Sequence, residues 1–250
     1  MRSYGAHPKV GIYCICMPKR RHACEALFGT LGIEAEYTPV MLKSDAGQAR
    51  SSTNVASSLT DGEIACYISH LNTYHAFLST PRDIAIVFED DNMATRHYSH
   101  DRMASVIEWA LSERETFDAI NISPCLSWDT GHVVGHIDEQ TRVQRGYATC
   151  ANAYIISRRA AARMIDAQSI RKPLDDQLQS LEHVYKIHPR LFKQDPQIPS
   201  VVGNHPGIFS PWHMRTEYIY GCLFIFVLYI LFICTVVMAS LLFGRSIYYM

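Results

Sequence analysis

An α/β sandwich on a mostly parallel sheet, followed by one transmembrane helix at the carboxyl end, is the architecture this sequence predicts. Three observations carry it. Short apolar runs such as VGIYCIC (Val10–Cys16) and AIVF before Glu89 alternate with longer amphipathic segments, the pattern of strands crossing over through helices. Apolar residues make up 48% of the chain and charged residues 19%, which excludes full disorder. The last 25 residues before Gly244, Ile219 to Phe243, contain no charge. At about 1.5 Å per residue that run crosses a hydrocarbon layer of roughly 30 Å.

Taken in order, Val10–Cys16 suits a buried first strand, and the basic group Lys19, Arg20, Arg21 and His22 opens a helix that Gly32 ends. Ile33–Val40 is expected as a second strand. Lys43–Ser58, rich in Ser, Ala, Gly and Gln, reads as a mobile loop. A helix follows over 62–79, with Thr60 or Asp61 as N-cap. Its stripe Ile64, Ile68, Leu71, His75 and Leu78 is expected to be buried, while Glu63, His70 and Phe77 share another face. Ile84–Phe88 is a strand that ends in Glu89-Asp90-Asp91. A helix over 102–114, a strand over 119–123, a hairpin across 133–143, a strand over 153–156 and a helix over 159–168 come next. A final helix starts at Pro173-Leu174-Asp175-Asp176 and is expected to reach Val184.

Tyr218, Tyr220, Tyr248 and Tyr249 lie near the ends of the apolar run, where amphipathic rings prefer the headgroup region. The amino terminus has no apolar signal segment, so the expectation is tail anchoring: a domain over 1–215 in the cytosol and an anchor over 216–250, spanning about 219–243. The spacing of the eight cysteines suggests neither a disulfide framework nor zinc knuckles, and Cys14 and Cys16 read as packing residues on one strand face. A formal charge of -1 gives no electrostatic footprint for nucleic acid. No GxxxxGK[ST], GxGxxG, GxSxG or HExxH pattern occurs, which removes most nucleotide hydrolases, serine esterases and zincins.

Three segments carry chemistry. In AIVFEDDN, three consecutive carboxylates leave a buried strand and repel one another unless a cation lies between them. Hard oxygens suit Mg²⁺ or Mn²⁺, so Asp91 is a candidate direct ligand and Glu89 a ligand, a water-mediated contact or a ribose partner; an ordinary solvated acidic turn has the same sequence. Alternation puts Glu89 and Asp91 on one side and Asp90 on the other. In PLDDQL, Asp175 or Asp176 can serve as a general base, although two acids in a first turn are also common helix-start chemistry. In GEIACYISHLNTYHAFL, His70 can touch a ligand, and His205 is an additional candidate ligand near the carboxyl end.

In this order, VGIYCICMPKRR, GEIACYISHLNTYHAFL, AIVFEDDN, FDAINIS, ANAYIISRRAAARMI, PLDDQLQ and HPRLFKQD resemble glycosyltransferase family 25, the lipooligosaccharide and procollagen galactosyltransferase-like enzymes. The resemblance spans about Val10 to Ser200. It implies a GT-A-like, Rossmann-like fold, a UDP-sugar donor, a Mn²⁺ (or Mg²⁺) ion at the acidic triplet, and transfer of a hexose such as galactose or glucose with inversion. The acceptor would be a glycan, glycolipid or glycoprotein hydroxyl. By the same resemblance Glu89, Asp90, Ser69, His70 and Tyr13 belong to the donor site, Asp91 and Glu89 to the metal, and Asp176, slightly ahead of Asp175, is the base. Ala151–Tyr154 would line the sugar pocket. Cys16-Met17-Pro18 stands where the family usually has Asn-Leu-Asp. A membrane-tethered saccharide-binding protein without turnover, and a metal-dependent phosphoesterase, are the competing readings.

Overall fold

The computed structural model describes residues 7–52, 54–125, 131–146, 150–167 and 169–198. The strands are β1 (Val10–Ile15), β2 (Glu36–Thr38), β3 (Asn54–Val55), β4 (Ile84–Glu89), β5 (Asn92–Ala94), β6 (Ala119–Asn121), β7 (His132–His136), β8 (Arg142–Arg145), β9 (Ala153–Ser157), β10 (Ser169–Ile170), β11 (Val184–His188) and β12 (Phe192–Gln194). The helices are α1 (Arg21–Thr30), α2 (Ala46–Ser52), α3 (Asp61–Leu78), α4 (His100–Ser112), α5 (Arg158–Asp166) and α6 (Leu174–Gln179). Among the described residues, eight strands form one sheet in the order β2-β1-β4-β9-β6-β11-β8-β7.

The sheet is mixed where a mostly parallel one was expected. β1 runs parallel to β2 and β4, and β6 parallel to β11. β9 lies between β4 and β6 and is antiparallel to both. The β7–β8 hairpin, which the sequence places correctly, extends the far edge antiparallel to β11. The inserted β9 brings Ala153 opposite Phe88, so the residues before β9 meet the turn after β4.

Each central strand is covered on both faces, which is why β1 and β4 read as continuous apolar runs. Residues of one parity, Ile12, Cys14, Ile86 and Phe88, pack with Phe28 of α1 and Val106 of α4. Those of the other parity, Tyr13, Ile15, Ala85 and Val87, pack with Ile64 and Phe77 of α3 and with Ala160 of α5. The three-layer arrangement follows from this period of two.

Local signals set several boundaries. Thr60 caps α3: its hydroxyl accepts from the Glu63 amide while the Glu63 carboxylate accepts from the Thr60 amide. Thr60→Ala is expected to cost about 1 kcal/mol of stability in a denaturant titration, whereas Thr60→Ser should change little. Gly32, at φ 59°, takes the left-handed conformation that ends α1.

Other expectations fail for tertiary reasons. The segment 43–58 is not a bare loop. It contains a 3-10 turn at Lys43–Asp45, then α2, then β3, which pairs with β10. In α3 the buried residues include Ser69, His70, Thr73, Tyr74 and Phe77, while His75 is exposed and Ile68, Leu71 and Leu78 are half-buried. The helix is packed by α2 and α5 as well as by the sheet, so apolar periodicity alone did not identify its inner face. The helix at Pro173 stops at Gln179, and Val184 opens β11 instead.

Cys125 and Cys150 form a disulfide across 25 residues, a pairing that their spacing did not announce. Cys125→Ser with Cys150→Ser is expected to lower stability by about 3 kcal/mol, read as a fall in the urea midpoint. Asn121 of the Asn-Ile-Ser sequon is buried, and its amide donates to the Cys150 carbonyl at 2.7 Å, so it is not presented for glycosylation. Among the described residues no helix is long and apolar enough to cross a membrane. The expected span over 219–243, its flanking tyrosines and His205 lie outside them.

Candidate functional site

The site lies beyond the carboxyl end of β4, where ligands gather in α/β sheets. Continuing the alternation of the strand, Glu89 follows Val87 toward α3 and Asp90 follows Phe88 toward α1. Glu89 Oε1 is 3.0 Å from His70 Nε2, and the Cys66 thiol reaches the same oxygen at 3.7 Å. His70 Nδ1 lies 2.7 Å from the Tyr154 hydroxyl, which in turn bonds Tyr74 at 2.5 Å. This chain of α3 and β9 side chains orients the Glu89 carboxylate. Burial draws His70 down to about 3, so its ring is neutral and one nitrogen accepts while the other donates.

Asp90 is differently placed. Oδ2 accepts from the Met17 amide at 2.9 Å, and Oδ1 accepts from the Arg20 guanidinium at 2.6 Å, both largely shielded from water. Its charge is therefore compensated by the turn between β1 and α1. Asp91 is buried, with Oδ2 accepting from the Gln194 side chain at 2.6 Å. Its other oxygen, Oδ1, is buried with no hydrogen-bond partner among the described residues. Asn92 donates to the Glu89 and Asn152 carbonyls, and Asn152 returns a bond to Asn92 Oδ1 at 2.9 Å, which clamps the acidic turn to the start of β9.

The electrostatics follow from this geometry. Burial, then the neighbouring Asp90 charge, pushes Glu89 up to about 7. Burial and the Glu89 charge push Asp91 up to about 7. Asp175, from the first turn of α6, is raised to about 6 by burial and by Glu89, with the nearby Cys150 and Ala151 amides opposing the rise. Three carboxyls thus share one shielded region, and among the described residues no cationic side chain pairs with Glu89 or Asp91 as Arg20 pairs with Asp90. An orphaned carboxylate oxygen beside a second acid is the donor set that a hard divalent cation fits. Cys66 and His70 add two ligand atoms, which with that of Glu89 lie within 4.8 Å of one another.

A cavity of about 20 Å³, room for about one water molecule, lies beside this cluster, lined by Asn121, Cys150, Ala151, Tyr154, Asp175 and Gln179. Cys150 adopts φ 70°, an uncommon left-handed conformation for a residue other than glycine. It is held by the disulfide and by Asn121, and it presents its amide to Asp175.

The structure brings together Glu89, Asp91, His70 and Asp175 among the residues singled out from the sequence, with Ala151 and Tyr154 at the adjoining cavity. It separates others. Tyr13 is buried under α3, edge-on to Phe77, and its hydroxyl accepts from Arg82 near the amino end of β4, away from the acidic turn. Ser69 is buried, donates to the Ala65 carbonyl and accepts from the Met41 amide, so it fastens the segment after β2. Asp176 is exposed. His70 touches Glu89 and is itself fully buried. Sequence reasoning missed Arg20 as the partner of Asp90, Asn152 as the clamp on Asn92, and Cys66 and Gln194. The basic cluster after β1 was a usable signal for Arg20; Gln194 sits 103 residues from Asp91 with no local signal.

Compared with known families, residues 18–178 match the model of glycosyltransferase family 25, described as an LPS biosynthesis protein. The matched stretch contains the acidic turn, Ser69-His70 and Asp175-Asp176, and excludes β1. No curated protein matches the chain.

Proposed function

Because the chain belongs to glycosyltransferase family 25, and is therefore a glycosyltransferase with a sugar donor and a glycan acceptor, we propose that it moves a hexose from a UDP-sugar to a hydroxyl of a glycan, a lipid-linked saccharide or a protein, with inversion. The observation that carries this reading is the Glu89 carboxylate, held by His70 at 3.0 Å, at the carboxyl edge of the sheet with the buried Asp91 two residues on, whose Oδ1 has no partner among the described residues; Asp175 lies close enough to feel the Glu89 charge. The three-layer fold with an acidic turn after a central strand supports a GT-A-like layout.

Asp91 and Glu89 would hold Mn²⁺ or Mg²⁺, which supplies neutralisation of the charge developing on a departing diphosphate. The chain's own residues do the rest. Asp175, raised toward neutrality yet kept ionisable by two backbone amides, takes the proton from the acceptor hydroxyl. Neutral His70, fixed by Tyr154, aims Glu89 without adding a charge. Asp90 and Arg20 brace the β1–α1 turn against the acidic loop, and Asn92 with Asn152 holds that loop in register. Ala151 and Tyr154 are proposed to form one wall of the sugar site, bounded by the disulfide-held Cys150.

The membrane anchor over 219–243 is retained as a proposal, since proximity to a lipid-linked acceptor gives it a purpose. The Cys125–Cys150 disulfide supports an oxidising compartment for the domain in place of the cytosol that tail anchoring suggests. Protease protection of an amino-terminal tag on sealed vesicles distinguishes the two orientations. The activity is tested by incubating the full chain in membranes with a panel of UDP-sugars and extracted acceptors, with Mn²⁺ or EDTA. The expected result is cation-dependent UDP release with one donor and a product heavier by one hexose. Binding without release, or release of phosphate from a simple ester, overturns the reading.

A further inference from the structure

Three thiols outside the acidic cluster meet at the end of β1. Cys14 and Cys16 lie on the α1-facing side of the strand, and Cys24 comes from the first turn of α1; the three Sγ atoms lie within 4.8 Å of one another and all three residues are buried. Cys16 Sγ and Cys24 Sγ are 2.9 Å apart. A disulfide holds its sulfurs at about 2.05 Å, so this pair needs an approach of under about 1 Å to bond. Two thiolates on one zinc ion, each at about 2.3 Å in tetrahedral geometry, stand about 3.8 Å apart, which is wider than this pair. The contact favours a sulfur–sulfur bond over a shared metal.

We propose that Cys16 and Cys24 are an oxidisable pair that closes into a disulfide across the β1–α1 turn, with a peroxide as oxidant. The neighbouring Cys14 thiol, whose Sγ lies within 4.8 Å, supports the division of roles, because it draws the Cys16 thiol down while Cys14 itself is pushed up. Cys16 is then the nucleophile and Cys24 the resolving thiol. The Cys16 thiolate attacks hydrogen peroxide, the O–O bond breaks, and Cys16 becomes a sulfenic acid as hydroxide leaves and takes up the proton that Cys16 had lost. Cys24 sulfur attacks the sulfenic sulfur, the S–O bond breaks, and water departs with the Cys24 proton. Two thiols are oxidised, one peroxide is reduced to two waters, and the electrons balance.

The bond has a defined structural reach. The ring it closes contains Met17 and Arg20, whose amide and guanidinium occupy both oxygens of Asp90, and Cys24 Sγ also lies 3.9 Å from the Asp90 carbonyl. Oxidation therefore staples the turn that braces the acidic loop.

The test uses the full chain, treated with hydrogen peroxide, alkylated in denaturant and mapped by mass spectrometry. The expected result is two fewer alkyl groups than on the untreated protein and a Cys16–Cys24 cross-linked peptide lighter by about 2 Da than its two free-thiol peptides together, reversed by dithiothreitol. Cys24→Ser should abolish the cross-link and leave Cys16 sulfenylated, and Cys14→Ser should retain it. The map is read on the unsubstituted protein, so a variant that fails to fold does not obscure it. A cross-link through Cys14, irreversible oxidation of Cys16 without any linkage, or a metal ion retained through gel filtration that blocks oxidation overturns the proposal. None of these readouts depends on sugar transfer.

Discussion

Asp91→Asn is expected to abolish cation-dependent UDP release, by about 100-fold or more, while making the cation-free protein more heat-stable above pH 7. Both effects have one cause. The Asp91 carboxyl is buried, one of its oxygens has no partner among the described residues, and burial together with Glu89 raises its titration from an ordinary 3.8 to about 7. A carboxyl whose folded-state pKa is raised contributes stability in its protonated form. That contribution is present below the ordinary carboxylate range and is lost as pH rises through about 7. At pH 8 the fold must hold ionised, shielded carboxyls at Asp91 and Glu89, and each tenfold change in their joint proton affinity on folding costs about 1.4 kcal/mol. Asparagine keeps the acceptor for Gln194 and carries no charge, so the melting temperature measured with EDTA should rise by a few degrees at pH 8 and be unchanged at pH 4. Added Mn²⁺ should stabilise the unsubstituted protein at pH 8 and leave the variant unmoved. A variant that transfers sugar at the normal rate would falsify the metal assignment; one that is less stable at every pH would show that Asp91 serves the fold alone.

Asp175→Asn should lower kcat by about 100-fold to 10,000-fold with the KM for the donor little changed, whereas Asp176→Asn should stay within about twofold. The two aspartates are adjacent in sequence and equivalent as helix-start acids, yet their surroundings differ. Asp175 is half-buried, lies near the Cys150 and Ala151 amides, and feels the Glu89 charge. Asp176 is exposed. The base must be ionised to accept a proton, so kcat should climb with pH through about 6 and level off above it. Rates of UDP release across pH 5 to 8 for the three proteins decide the matter. Loss of activity in Asp176→Asn with Asp175→Asn intact would reverse the assignment.

Much of the fold was legible because it is encoded over a few residues. The apolar runs in Val10–Ile15 and Ile84–Glu89, the Thr60–Glu63 capping box and the glycine after Leu31 each announce their element. Part of the acidic triplet's parity was readable in the same way, since Glu89 and Asp90 face opposite layers; Asp91 lies in the turn beyond the strand and meets Gln194 of β12. The inner face of α3 was not. His70 and Tyr74 are buried because β9 brings Tyr154 over them, Thr73 because it meets Thr38 of β2, and α2 and α5 pack against the helix as well, none of which leaves a trace in the helix's own periodicity. β9 itself looked like one more parallel strand, and its antiparallel insertion depends on its neighbours β4 and β6.

By itself, then, the sequence determined the α/β class, the helix and strand that flank the acidic turn, and the family to which the motifs belong, all of them properties carried by residue type and short spacing. Only the tertiary structure decided that Arg20 neutralises Asp90 across 70 residues, that Gln194 meets Asp91 across 103, that Cys125 pairs with Cys150, and that Asp175 rather than Asp176 faces the cluster. The reason is that shielding and charge compensation depend on which distant segments pack against a group, and a linear pattern records a residue's own preferences without recording its neighbours in space.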